Sequence, residues 1–95
     1  MNNLQMLKLV TGEAIIADLS TKDDDNYLLS KPLQILVQPT PQGMGVSLIP
    51  WMSQNVNIKE SAIIAFSSPP TEIEKEYIKF TTNISLETGN FQLNQ

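Results

Sequence analysis

Carboxylates are the side chains of this chain with the most chemical reach. Asp23-Asp24-Asp25 sets three hard oxygen ligands side by side, the type that takes magnesium or calcium. No calcium-loop glycine and no distal glutamate follow at the required spacing, so the run reads better as a solvated acidic loop. Glu13 and Asp18 could form an acid/base pair of the hydrolase kind, but five residues apart on a hairpin they should diverge, and no basic or aromatic pocket accompanies them. Cysteine and histidine are both absent, which removes thiolate nucleophiles, disulfides, histidine bases and nearly every zinc site. The chain is therefore expected to be non-catalytic, with no cofactor and no metal.

Its cations are equally restricted. All six basic residues are lysines, at positions 8, 22, 31, 59, 75 and 79. Without arginine, planar two-pronged recognition of phosphate or guanine is not available. A net charge of -4 repels nucleic acid overall, so any such binding must be local. Trp51, the single tryptophan, lies in the apolar run Ser47 to Met52 and reads either as a stacking platform or, more simply, as packing in the core or at a subunit contact.

Strands must position these groups. Residues 4–10 carry apolar side chains on both faces, the pattern of a strand partly covered on each side. Thr11-Gly12-Glu13 makes a hairpin turn in which Gly12 supplies the positive φ, and Ala14 to Leu19 forms a second strand. A charged loop over 21–26 leads to a long third strand, Tyr27 to Gln38, with Pro32 at an edge or bulge. After a stiff turn at 39–43, a fourth strand covers 44–58 with an interruption at Ser53-Gln54-Asn55, and Gly45 and Pro50 read as bend or bulge signals. A fifth strand, Ala62 to Phe66, is stopped by Pro69-Pro70. Thr71-x-x-Glu74 then resembles a capping box before an apolar stripe of Ile73, Tyr77, Phe80 and Ile84, predicting a helix over about 71–83. One domain over 1–84 and a polar, loosely attached or disordered tail over 85–95 complete the chain.

Five short bent strands suit a small barrel. Lys8 to Leu19 resembles the strand-turn-strand opening of Sm-like proteins, Asn26-Tyr27-Leu28-Leu29 their third strand, and Val56 to Phe66 their second signature. The run VTGEAIIADL, the stretches YLLSKPLQIL and SLIPWM, and the terminal EIEKEYIKF helix look like the Sm-like proteins of marine cyanophages. The resemblance implies a mainly β fold, an Sm-like (SH3-type) five-stranded bent antiparallel barrel with a C-terminal α-helix. Three departures stand out: Lys59-Glu60 replaces the usual Arg-Gly, Lys22 replaces an Asp ahead of the Asn, and the helix follows the barrel instead of preceding it.

What the resemblance implies for function is single-stranded nucleic-acid binding, RNA before DNA, in phage or host RNA processing. Asn26 would contact a base, Tyr27 would stack on it, and Lys59 would meet a phosphate or base at a pore. Each also has a plainer reading, as a turn residue, a half-buried strand aromatic and a solvated lysine. The uncharged strand 62–66, paired with a neighbour's fourth strand, would build a homo-oligomeric ring of roughly five to seven subunits. The same ring could instead serve protein interaction without nucleic acid. The N-terminus lacks the features of a secretory signal and no apolar run is long enough to span a bilayer, so a cytoplasmic location without membrane contact is expected.

Overall fold

The first hairpin forms as its turn residues require. Gly12 has φ 105°, its amide donates to the Leu9 carbonyl at 2.9 Å, and the Leu9 amide donates to Glu13 at 3.0 Å. The structure, a computed structural model, describes residues 3–90, apart from the side chains of residues 22 and 83–90. Six strands follow in chain order: β1 (Leu4–Leu9), β2 (Ala14–Asp23), β3 (Asn26–Thr40), β4 (Gly43–Pro50), β5 (Asn55–Lys59) and β6 (Ile63–Ser67). A 3₁₀ turn, Glu60–Ala62, separates the last two strands, and one helix, α1 (Thr71–Asn90), closes the described chain. All strand pairs are antiparallel, in the order β4-β3-β2-β1-β6 with β5 on β3.

β3 organises this sheet by bending at Lys31-Pro32. Ile16 pairs with Leu33 and Asp18 with Ser30, so two residues of β3 oppose Ala17 alone, which is a bulge. Pro32 has no amide to offer the ladder, and Lys31 sits in the left-handed region at φ 53°. Before the bulge β3 pairs with β5, and after it with β4. The Lys31 amide donates to the Gln54 carbonyl at 2.7 Å and the Trp51 amide donates to Pro32 at 3.1 Å, stitching the bend to the β4–β5 connection. Pro32 therefore occupies the bulge that its chemistry predicts.

The expected single fourth strand is two strands, making six and not five. Pro50 ends β4, and Met52, at φ 61°, turns the chain before β5 begins. Hydrogen bonding does not close the sheet, because β4 and β6 end the path as free edges. Tyr27, on the half of β3 that pairs with β5, meets Phe66 of β6 edge-on, ring centroids 6.4 Å apart at 65°. Gly45 is no bulge: β3 and β4 pair without a register shift from Leu33↔Pro50 to Thr40↔Gly43. A side chain there would meet the Thr40 methyl at 2.8 Å, so close approach is what demands the glycine.

Two cores lie on the two faces, as the mixed pattern of the first strand requires. Leu7, Ile15, Ala17, Leu29, Val56 and Ile58 fill the concave side. Leu4, Ile16 and Leu33 face the other way and are covered by Tyr77, with Ile73 and Phe80 beside it. Burying Ile16 completely is worth roughly 1.5–3 kcal/mol, which helps hold the helix to the sheet.

α1 starts at Thr71, as expected, but differs in its capping and in its C-terminal limit. The Pro70 carbonyl receives the Glu74 amide at 3.0 Å, so Thr71 is the first helical residue and not the cap. The helix continues to Asn90, so residues 85–90 of the expected tail are helical, and 91–95 lie outside the described residues.

Candidate nucleic-acid interface

Asn26 and Lys59 are direct register partners at the end of the β3–β5 ladder. Cross-strand partners project from the same face, so the amide and the ammonium share one surface. One side-chain carboxylate and one backbone bond hold them there. The Asp23 carboxylate accepts from the Asn26 side-chain amide at 2.8 Å and from the Asp25 backbone amide at 3.1 Å, an Asx arrangement that shapes the turn. The Glu60 amide donates to the Asp25 carbonyl at 2.8 Å, fastening the 3₁₀ turn to that same loop.

Tyr27, one residue on, pairs with Ile58 and packs against the concave core. Alternation therefore turns it to the face opposite Asn26 and Lys59. Its aromatic partner is Phe66, which is 53% exposed and which the sequence reading did not single out. The available signal was its place as the last apolar residue of an uncharged strand. The structure thus brings Asn26 and Lys59 together and sets Tyr27, with Phe66, on the inner side of the same end.

The charge around Lys59 is acidic. Asp23, Asp24, Asp25 and Glu60 are all exposed at this end. Among the described residues no group of three acidic, histidine or cysteine side chains is arranged to hold a metal. Glu13 and Asp18 lie apart, Glu13 just before β2 and Asp18 at its middle, about 17 Å along an extended strand. The Thr11 hydroxyl bonds Glu13, while Asp18 accepts from the Asn3 amide at 3.1 Å.

A second feature lies at the β3 bulge, where a cleft of about 350 Å³ is walled by Pro32, Pro50, Trp51 and Met52. Trp51 is half-buried and also packs against the concave core, so it serves packing while keeping a face toward the cleft. Among the described residues no helix is long and apolar enough to cross a membrane. No protein-family model matches the chain, and no curated protein matches it.

Proposed function

We propose that this chain is an Sm-like subunit that assembles into a homo-oligomeric ring of roughly five to seven copies and binds single-stranded nucleic acid, RNA in preference to DNA, without catalysis, in phage or host RNA processing in the host cytoplasm. The pairing of Asn26 with Lys59 carries this reading. With its amide nitrogen bonded to Asp23, Asn26 offers its carbonyl oxygen to a base donor such as an imide N–H. Lys59 stands beside it for the phosphate, and the Tyr27–Phe66 pair provides the nearest aromatic surface.

The free edges support assembly. β4 (Gly43–Pro50) and β6 (Ile63–Ser67) contain no charged residue, yet each leaves one side of its backbone unpaired among the described strands. Met44, Val46, Ile64 and Phe66 are exposed along them. Such edges pair with other strands unless blunted by charge, and a head-to-tail β6-to-β4 contact closes into a ring when its rotation permits.

A protein-interaction ring without nucleic acid is the second reading, favoured by the four carboxylates around Lys59. Fluorescence anisotropy with labelled oligo-U, oligo-A and single-stranded DNA at low salt separates the two. Saturable binding with oligo-U ahead of DNA supports the first; binding no stronger than that of an unrelated acidic protein leaves the second.

A further inference from the structure

Lys31 and Met52 are the two non-glycine residues with positive φ among the described residues, at 53° and 61°, and both line the cleft beside Trp51. Left-handed backbone at bulky residues is disfavoured and persists where surrounding structure holds it, often around a binding site. Here it is held by the Lys31-to-Gln54 and Trp51-to-Pro32 hydrogen bonds, which fix the two walls of the cleft against each other. The site is thus pre-formed by backbone.

Its lining is selective as well. An indole and two prolines make flat apolar walls, Ser53 and Gln54 add hydrogen-bonding groups at the rim, and Lys31 is the one charged residue, with no carboxylate among the lining residues. Asp18 lines an adjoining, smaller cleft of about 200 Å³ next to Tyr77, which shares Lys31 and Thr81 with this one, and its carboxylate accepts from the Asn3 amide. A flat ring with polar edges, carrying an anion on one side, matches this lining; an aliphatic anion would leave Ser53 and Gln54 unmatched. The volume falls at the lower end of the range for small-ligand pockets.

We infer that this cleft binds a nucleotide, its base lying against Trp51 and its phosphate meeting Lys31. The site is separate from the Asn26–Lys59 face and does not rest on assembly into a ring, so either can fail alone. The same chemistry is offered by a free mononucleotide and by one unit of a strand.

Because Trp51 is the single tryptophan and lines this cleft, its intrinsic fluorescence reports on occupancy there. Titration of the full chain with AMP and UMP should give a saturable change. Adenosine should bind about tenfold more weakly, and inorganic phosphate should cause no change. Binding of a dinucleotide more tightly than AMP would assign the site to a strand, and equal binding to the free nucleotide; both outcomes support the inference. Lys31→Asn removes the charge while keeping a residue that tolerates left-handed backbone, and should weaken AMP about tenfold with the circular dichroism spectrum unchanged. No saturable change up to millimolar AMP, an equal response to octanoate, or a folded Lys31→Asn variant that binds AMP as the parent does would each overturn the inference.

Discussion

The Tyr77 hydroxyl donates to the Lys31 carbonyl at 3.0 Å, with the Ser30 carbonyl at 3.3 Å. The helix is thereby keyed to the bulge that splits β3 between its two partner strands. Tyr77→Phe keeps the aromatic packing and removes the donor shared by these two carbonyls. Stability should fall by about 1–3 kcal/mol. Urea unfolding of the two proteins measures this directly, and an unchanged midpoint would show that the hydroxyl is dispensable.

The same group makes stability fall at alkaline pH. Burial, with a smaller contribution from the Asp18 charge, pushes Tyr77 from 10.0 up to about 12. Below pH 10 both states keep the proton and the stabilisation is intact. Between pH 10 and about 12 the unfolded chain releases the proton while the folded chain retains it, so stability falls as pH rises. Allowing for solvent screening, the loss is roughly 1–2 kcal/mol. Tyr77→Phe should lack this component of the alkaline decline; identical pH profiles for the two proteins would contradict it.

Two glycines should fail for different reasons. Gly12→Val places a β-branched residue at φ 105° in open space, so the cost is backbone strain of roughly 1–3 kcal/mol. Gly45→Ala instead drives a methyl into the Thr40 methyl at 2.8 Å. Thr40→Ser removes that methyl and keeps the hydroxyl that donates to the Gly43 carbonyl at 2.6 Å. It should therefore rescue Gly45→Ala and leave Gly12→Val unimproved. Thermal melts of the single and double variants check both, and rescue of neither would refute the steric account of Gly45.

Much of this architecture was legible in local residue chemistry. Gly12 readily takes the positive φ that other residues avoid and Pro32 offers no amide to a ladder, so a turn and a bulge could be placed from one residue each. The apolar residues on both faces of β1 likewise foretold the helix that covers Leu4 and Ile16. The interruption of the fourth strand was legible at Ser53-Gln54-Asn55, but the left-handed turn at Met52 was not, because it is imposed by long-range bonds between β3 and the 51–54 segment. Gly45 was misread for a similar reason: its neighbour Thr40 reaches it only across the hairpin. At the candidate interface Asn26 and Lys59 came from motif likeness, but their pairing depends on register. The inward turn of Tyr27 follows from strand alternation once that register is known. Phe66 and the Lys31–Met52 cleft join residues distant in sequence, and only the prolines at 32 and 50 hinted at a bend there.

Self-association should run through the two uncharged edges. Ile64 is 63% exposed, so Ile64→Lys should leave the fold intact and disrupt contact between copies. Light scattering should give a multiple of 10.6 kDa for the parent and a smaller particle for the variant. A parent that scatters as a 10.6 kDa monomer at micromolar concentration would rule out the subunit ring.

Most direct of all is the salt dependence of oligo-U binding by the parent and by Lys59→Glu, followed by anisotropy. A lone lysine beside four carboxylates binds a phosphate weakly, but copies converging on a pore create a positive field within a Debye length of about 8 Å. Affinity should fall steeply as salt rises, and Lys59→Glu should abolish binding while the circular dichroism spectrum and particle mass stay unchanged. Binding that ignores both salt and the substitution at Lys59 would contradict a nucleic-acid interface centred on Asn26 and Lys59.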